Sequence, residues 1–289
     1  MLRIAAAFAA IAGCAAAAVA PTAAPAAAPA VAVAPAAADG FTYGRFGTIS
    51  IYRDSAAPRD VVLFLSGDGG WNLGVISMAQ RLARQGAVVA GVDIRHYLAQ
   101  LEQSSDACVS PAADLRTLSN YLQTKLGLKP AVLPTLVGYS SGATLVYAAL
   151  VEAPEGSFKG ALSIGFCPDL DLEKPLCKGS GIEATPRRNA KGVPTGVDLL
   201  AAKKLSGKWI SLQGELDQVC PARATQDFIA TVPGGEIVLL PKVGHGYSVE
   251  RNWVPQYEAA YGRITAPPAQ VTAPPRVIAP PRVMAPPQH

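Results

Sequence analysis

Short apolar runs alternate with amphipathic segments through the middle of this chain, and this alternation is the feature that most restricts its fold. Six runs that are apolar nearly throughout predict strands covered on both faces, over residues 61–65, 88–92, 135–138, 161–166, 209–213 and 236–240. Apolar residues at helical spacing predict helices over 72–84, 111–126, 141–150, 222–230 and about 253–264. An alternating segment, 47–52, predicts an edge strand. The order predicts an α/β three-layer sandwich with a mostly parallel sheet.

The two ends of the chain differ from this core in composition. Residues 15–38 are almost entirely Ala and Pro, and Ala-Pro-Pro recurs after residue 264. Such segments do not build a packed core, and paired prolines favour an extended polyproline II conformation. We therefore expect a linker over 21–40, one α/β domain over 41–264 and an extended tail over 265–289. The tail is either a ligand for a partner or, as this composition more often indicates, a solvated spacer.

The first residues have the layout of a secretory signal, which we place over 1–20. Arg3 precedes an apolar run over 4–11 that is too short to span a bilayer. Two ends of this signal compete. Residues 11–14, Ile-Ala-Gly-Cys, resemble a bacterial lipobox, in which Cys14 becomes lipidated, whereas ordinary cleavage would occur at 18–20. Both predict an exported, periplasmic protein, in the first case anchored through Cys14.

Four cysteines remain once Cys14 is set aside, an even number that predicts two disulfides in an oxidising compartment. Cys167 and Cys177 bracket a loop-like stretch, so we expect that bridge, which leaves Cys108 to pair with Cys220. The cysteines show no spacing with histidines that would indicate a structural metal, and we expect neither a metal nor a cofactor.

Charge and composition exclude other classes of protein. Half of the residues are hydrophobic and 16% are charged, which excludes a wholly disordered chain. The net charge of +4 is small, and basic residues are not clustered with aromatic ones, so we expect no nucleic-acid partner.

A candidate nucleophile lies where the third apolar run gives way to a helical segment. Residues 138–142 read Gly-Tyr-Ser-Ser-Gly, a G-x-S-x-G pattern between a strand and a helix. In this context the turn is so tight that glycines must flank the serine, whose hydroxyl is then exposed at the carboxyl edge of the sheet. Because the pentapeptide alone is a weak motif, its placement is what favours Ser140 as a nucleophile.

The chain offers three histidines as a base for this serine. His289 lies in the tail, and His96 follows an early strand, where a structural or surface role is expected. His245 has glycines on both sides and follows the last predicted strand, where hydrolases of this class carry their base. We therefore expect His245 to be the base.

The acid that orients this base is expected after the strand 209–213. Asp217 is the candidate, and Glu215 on the same loop is its rival. The chain order Ser140, Asp217, His245 is that of the α/β-hydrolases and differs from the orders in chymotrypsin and subtilisin. The fold prediction is therefore an α/β-hydrolase sandwich.

Donors for an oxyanion are predicted at two turns. One is the backbone N–H of Ser141, and the other, from Asp68, lies in the turn 66–71, Ser-Gly-Asp-Gly-Gly-Trp. Gly67 and Gly69 allow close approach of a substrate, and with Asp68 and Trp71 they are candidate substrate-binding residues. An inward Asp68 carboxylate would repel an oxyanion, so we expect it to point elsewhere, towards a cationic substrate group or as a helix N-cap. A phosphate cradle is the other reading of the glycines, but no P-loop lysine follows.

An insertion over about 168–208 separates the fourth and fifth predicted strands, where α/β-hydrolases often carry a cap. It holds eight basic and five acidic residues. One interpretation of this charge is a cationic cap that faces an anionic lipid headgroup. The other, which explains the composition equally well, is a solvated charged loop.

Together these motifs resemble the bacterial virulence protein VirJ/AcvB family. The segments that carry the resemblance are 66–71, 137–143, 165–168, 214–220 and 243–246, and it extends over about residues 60–260. It implies an exported α/β-hydrolase of the short VirJ form, with Ser140 as nucleophile, His245 as base and Asp217 as acid. Some members hydrolyse aminoacyl-phosphatidylglycerol, so the resemblance implies a phospholipid substrate and contact with a membrane surface.

Two other functions stay open at this point. The family name records a role in type IV secretion, which would make the chain a binding module for secretion-system proteins. A general carboxylesterase that acts on soluble esters would use the same three side chains.

Overall fold

The computed structural model describes residues 39–128 and 131–267. The predicted signal over 1–20, the lipobox at Cys14, nearly all of the linker and nearly all of the tail lie outside the described residues. In the described ranges, no helix has both the length and the hydropathy needed to cross a membrane.

The described residues form eleven strands and six α-helices. The strands are β1 (Asp39–Thr42), β2 (Thr48–Arg53), β3 (Asp60–Leu65), β4 (Ala87–Val92), β5 (Thr135–Tyr139), β6 (Gly160–Ile164), β7 (Asp169–Leu170), β8 (Ala184–Arg188), β9 (Pro194–Leu199), β10 (Lys208–Gly214) and β11 (Gly235–Leu240). The helices are α1 (Leu73–Arg84), α2 (Ile94–Glu102), α3 (Pro111–Lys125), α4 (Ser141–Glu152), α5 (Ala222–Ala230) and α6 (Val254–Thr265).

The main sheet has eight strands in the order β1-β2-β4-β3-β5-β6-β10-β11. All pairs from β4 to β11 are parallel, whereas β1 and β2 are antiparallel to their neighbours. Helices cover both faces of this sheet, which confirms the predicted α/β-hydrolase sandwich with a mostly parallel sheet.

Alternate residues of each central strand enter two separate hydrophobic cores. In β3, Val61, Leu63 and Leu65 pack with residues of α2, α3 and α4 on one face. Val62 and Phe64 pack with α1 and α6 on the other face. All five side chains are fully buried, so this strand reads as an uninterrupted apolar run.

The segment predicted as an edge strand is not at the edge. β2 pairs with β4 on one side and with β1 on the other, so β1 is the edge strand. β1 is only four residues long and mostly exposed, and it therefore lacks the apolar run that marks a buried strand.

One helix, α2, was not predicted. Its buried residues Ile94, Tyr97, Leu98 and Leu101 have the i, i+3, i+4, i+7 spacing of an amphipathic helix, and the Asp93 carboxylate caps its first turn. The helix follows β4 after a single residue, which leaves no loop between the strand pattern and the helix pattern. His96 is exposed on this helix, and its ring lies beside Gly47.

The insertion over 168–208 contains a small antiparallel sheet of its own, in the order β7-β9-β8. Arg187 on β8 bonds to the carboxylates of Asp169, at 2.8 Å, and of Asp171, and it lies 3.6 Å from Asp198. The positive charge of Arg187 is therefore paired with carboxylates of the insertion itself and is not left unpaired for a ligand.

The predicted disulfide pairing is wrong. Cys108 pairs with Cys177, and Cys167 pairs with Cys220. Cys167 follows β6 and Cys220 follows β10, and because these strands are parallel neighbours, the loops after them meet at one edge of the sheet. Cys177 lies instead beside the start of α3, since its backbone N–H donates to Val109 at 2.8 Å. The short sequence separation of Cys167 and Cys177 therefore did not predict their pairing.

The Cys108–Cys177 disulfide can be tested by peptide mapping and by the stability of a variant that lacks it. Cleavage after Glu173 separates Cys167 from Cys177, so non-reducing mass spectrometry should find Cys177 linked to Cys108. The double variant Cys108→Ser/Cys177→Ser should lose about 2–4 kcal/mol of unfolding free energy in urea titrations, because the open loop regains conformational entropy when unfolded. A peptide that joins Cys167 to Cys177 would contradict the fold of the cap.

Candidate active site

Ser140 occupies a strained turn between β5 and α4. Its φ angle is +54°, in the left-handed region that non-glycine residues rarely adopt. Gly138 and Gly142 make this turn possible, because a side chain on Gly138 would collide with the backbone of Gly142, and one on Gly142 would collide with the backbone of Leu65. The sequence pattern is thus a steric requirement, and its result is a serine held at the carboxyl edge of the sheet.

The structure brings Ser140, His245 and Asp217 together in one chain of hydrogen bonds. Nε2 of His245 lies 2.9 Å from the hydroxyl oxygen of Ser140, and Nδ1 of the same ring lies 2.8 Å from Oδ2 of Asp217. The serine follows β5, the aspartate follows β10 and the histidine follows β11. This geometry lets the imidazole accept the serine proton while its other nitrogen donates to the carboxylate.

The Asp217 carboxylate is fully buried and is held by several donors. Oδ1 accepts from the backbone N–H groups of Val219, at 2.9 Å, and Cys220, at 2.8 Å. Burial by itself would raise the pKa of Asp217, but hydrogen bonds from His245 and from these two amides outweigh it and hold the pKa below its ordinary value. The group therefore stays ionised and can orient the imidazole.

Glu215, the rival acid, lies on the same loop but is exposed, whereas His245 bonds to Asp217. The backbone N–H of Glu215 donates to Leu240 in the neighbouring strand. The loop thus turns Asp217 inward three residues after the strand ends and leaves Glu215 facing solvent.

Two supporting residues were missed from the sequence. Gln213 is fully buried at the end of β10, and its amide donates to Oδ2 of Asp217 at 3.1 Å and to the Cys220 carbonyl. The Tyr139 hydroxyl donates to the backbone carbonyl of His245 at 2.8 Å. The sign available for Gln213 was a large polar side chain near the end of a mostly apolar strand. Tyr139 had no sign beyond its place beside the serine. Both fix the loops that carry the triad.

The turn predicted to complete an oxyanion hole lies directly against the nucleophile. A side chain on Gly67 would collide with the β-carbon of Ser140, so this glycine is required by the close approach. Asp68 occupies the second position of a turn that the Gly70 N–H closes onto the Gly67 carbonyl at 2.8 Å. The Asp68 N–H takes no part in that bond, and Ser141 begins α4, where amides lack partners within the helix. Among the described residues neither amide donates to a protein acceptor, so both are available to donate to an oxyanion.

The Asp68 side chain points to Ser141. Its Oδ1 accepts a hydrogen bond from the Ser141 hydroxyl at 2.6 Å, while Asp68 itself is exposed. The capping role at the next helix belongs instead to Asn72, whose side chain accepts from the Gly74 N–H at 3.2 Å. Asp68 is therefore not the helix N-cap that the sequence left open.

A cleft of about 380 Å³ lies above these residues, and its lining includes Ser140, Tyr139, His245, Asp68, Gly69, Asn72, Val75, Met78 and Val219. Trp71 is not part of this lining. Its indole N–H donates to the Tyr52 hydroxyl at 3.0 Å, and its ring packs on Gly91 of β4. Of the predicted substrate-binding residues, Asp68 and Gly69 thus line the cleft, Gly67 lies beneath it and Trp71 supports the turn from behind.

Donor atoms of Asp217, Cys220 and His245 lie within 4.8 Å of one another, close enough to resemble metal ligands. The Cys220 sulfur is bonded to Cys167, and the other two groups bond to each other. The chemistry of this group therefore fits a catalytic pair beside a disulfide rather than a metal site.

Comparisons with known proteins concern the family and the fold. The model of the bacterial virulence protein VirJ family matches residues 59–162, which include the turn at Asp68 and the elbow at Ser140. A lidless α/β serine hydrolase from Xanthomonas campestris shares 18% identity, covers 81% of this chain and 98% of its own, and has a TM-score of 0.50. The chain therefore has the α/β-hydrolase fold, and its residues 59–162 are similar to the VirJ family.

Other solved structures share this fold. Est1E from Butyrivibrio proteoclasticus, at 11% identity, covers 80% of this chain and all of its own with a TM-score of 0.51. Thermogutta terrifontis esterase 2, in a form phosphorylated by paraoxon, has 17% identity, coverage of 78% and 93%, and a TM-score of 0.53. At these identities the likeness shows the fold alone. No curated protein is significantly similar to the chain in sequence.

Asp217→Asn tests the arrangement of the proposed triad. An amide at this position can donate to Nδ1 of His245, which stabilises the wrong tautomer, so kcat on an ester substrate should fall about 10³- to 10⁴-fold while the protein stays folded. Circular dichroism and thermal melting check the fold. Glu215→Gln is the matched control and should keep kcat within about threefold, since surface substitutions have small effects. A larger loss for Glu215→Gln than for Asp217→Asn would reverse the assignment.

Proposed function

We propose that this protein is an exported serine carboxylic-ester hydrolase that cleaves the aminoacyl ester of aminoacyl-phosphatidylglycerol. The observation that carries the proposal is the His245 ring, which lies within hydrogen-bond distance of both Ser140 and Asp217. Export is supported by the two disulfides and by the signal-like sequence over 1–20. The lipid substrate is supported by the resemblance to the VirJ family.

The first half of the reaction forms an acyl-enzyme. The Ser140 oxygen attacks the ester carbonyl carbon as its proton passes to Nε2 of His245, and Asp217 stabilises the imidazolium. The carbonyl oxygen becomes an oxyanion that accepts from the backbone N–H groups of Ser141 and Asp68. When the intermediate collapses, the bond to the glycerol oxygen breaks, and that oxygen takes the proton from Nε2. Phosphatidylglycerol leaves, and the aminoacyl group remains on the serine.

The second half returns the enzyme to its starting state. Water attacks the acyl-enzyme as its proton passes to Nε2 of His245, and the same two amides hold the second oxyanion. Collapse breaks the bond to Ser140, whose oxygen takes the proton back. The free amino acid leaves.

The rim of the cleft supports a substrate that sits in a lipid surface. Leu216 and Val219, on the loop that carries Asp217, have exposed fractions of 62% and 65%, and Val219 lines the cleft. Two large apolar side chains that face solvent on a loop bordering the cleft favour contact with an apolar surface. We expect them to enter the headgroup region of the bilayer that holds the ester.

Ser140→Ala tests the nucleophile. A fluorophosphonate probe should label the wild-type protein and leave the variant unlabelled, because the probe forms its bond with an activated serine oxygen. Turnover of aminoacyl-phosphatidylglycerol should fall at least about 10³-fold in the variant. Absent labelling of the wild type would favour a binding module that assists secretion. Labelling together with turnover of short-chain nitrophenyl esters, but not of the aminoacyl lipid, would favour the general carboxylesterase.

Leu216→Ser/Val219→Ser tests the rim. The affinity for phosphatidylglycerol vesicles, measured by sedimentation, should fall about 10-fold, because each substitution removes apolar surface that would otherwise leave water. Leu133→Ser is the matched control, since Leu133 is 44% exposed but precedes β5 at the opposite edge of the sheet. Turnover of a soluble ester reports whether the triad survives the rim substitutions. Equal vesicle binding by the wild type and the rim variant would exclude this role.

A further inference from the structure

The cleft above Ser140 has an uneven distribution of charge. Of the residues that line it in the described part of the chain, Asp68 is the acidic one, and none is Lys or Arg. Apart from Asp68 and His245, the lining consists of glycines and of apolar and uncharged polar residues such as Val75, Met78 and Asn72. A site of this kind repels an anionic acyl group and attracts a cationic one.

The Asp68 carboxylate has a defined place in this cleft. It belongs to the turn that lies against Ser140 through Gly67, and its Oδ1 accepts from the Ser141 hydroxyl at 2.6 Å. Gly67, which contacts Ser140, and Ser141, which follows it in the chain, thus hold the Asp68 carboxylate near the serine. An ionised carboxylate has about four acceptor positions. The Ser141 hydroxyl uses one of them, so the group can accept further hydrogen bonds from a ligand.

We propose that Asp68 and Ser141 form a subsite that binds an ammonium group on the carbon next to the ester carbonyl. This inference rests on the proposed esterase function and adds which part of the acyl group is recognised. The nitrogen of an α-amino acid is only two bonds from the carbonyl carbon that Ser140 attacks. The ammonium group therefore lies close to the attacked carbon. The Asp68 carboxylate is held by Ser141, the residue next to the nucleophile, so it lies in the region where that ammonium would be. Ser141 is a positioning residue for that carboxylate.

The same subsite gives a reason for selectivity in the transition state. A negative side chain near the oxyanion opposes the charge that develops there. An ammonium bound to Asp68 offsets that repulsion, whereas a plain fatty acyl group leaves it in place. Asp68 should therefore accelerate attack on aminoacyl esters and slow attack on neutral ones, which is differential binding of the transition state.

The test compares esters that differ in the place of the ammonium group. Alanine ethyl ester carries it on the acyl side, propionylcholine carries a cation on the alcohol side, and ethyl propionate carries none. The assay runs at about pH 6.5, where α-amino groups are mostly protonated. The readout is the ratio of kcat/KM for alanine ethyl ester to kcat/KM for ethyl propionate, in the wild type, in Asp68→Asn and in the control Glu215→Gln. A ratio within one enzyme removes general losses of activity, and the change in ratio between enzymes removes the intrinsic reactivity of each ester.

The ratio should fall about 10-fold in Asp68→Asn, as expected for loss of a hydrogen bond to a charged group, and should stay constant in Glu215→Gln. Ser141→Ala keeps the backbone N–H and should lower the ratio by a smaller factor. Added salt should lower the wild-type ratio through screening, a readout that needs no variant to fold.

Each other outcome overturns one specific claim. If the wild type hydrolyses none of the esters and no aminoacyl lipid, the proposed function itself fails. If it hydrolyses them and the ratio is the same in Asp68→Asn, the function stands and the ammonium subsite is wrong. An equal fall in Glu215→Gln would replace the subsite with a long-range charge effect. A loss confined to propionylcholine would put the cation on the alcohol side and also overturn the proposal.

Discussion

Parallel strands that are neighbours in a sheet end at the same edge, and the candidate site depends on this constraint. β5 ends at Ser140, and the loops after β10 and β11 carry Asp217 and His245. Residues more than 100 positions apart in the chain therefore meet without a long connecting structure. The two hydrophobic cores hold the strands in register from both faces, so the positions of the three strand ends are set by packing far from the site itself.

The edge of the sheet alone does not aim the side chains, and the loops there are held by further bonds. The Asp217 loop is held by Gln213, by two backbone amides and by the Cys167–Cys220 disulfide, which joins it to the end of β6. The His245 loop is held by the Tyr139 hydroxyl. A buried carboxylate is costly to leave unpaired. Hydrogen bonds from His245 and from the Cys220 and Val219 amides hold the pKa of Asp217 below its ordinary value despite burial.

The turn at Gly67 and Asp68 connects the fold to a choice of substrate. Its glycine is required by contact with Ser140, while its aspartate places a carboxylate beside the oxyanion site that we propose. In a general esterase such a charge would be a disadvantage. It becomes useful when the acyl group itself carries an ammonium, so the acyl side of the substrate and the charge of the cleft are linked. The apolar rim at Leu216 and Val219 bears on a separate question, the surface on which the ester lies.

The sequence by itself determined the α/β sandwich, because buried parallel strands need continuous apolar runs, and it determined the serine turn, because only glycine fits at 138 and 142. It also named Asp217 and His245, from their places after strands. Only the tertiary structure decided between Asp217 and Glu215, paired the cysteines, put β1 rather than β2 at the edge and turned Trp71 away from the cleft. These outcomes share one physical reason. Each depends on which segments become neighbours in space, and loops such as the one around Cys177 have no periodic pattern that reports their neighbours.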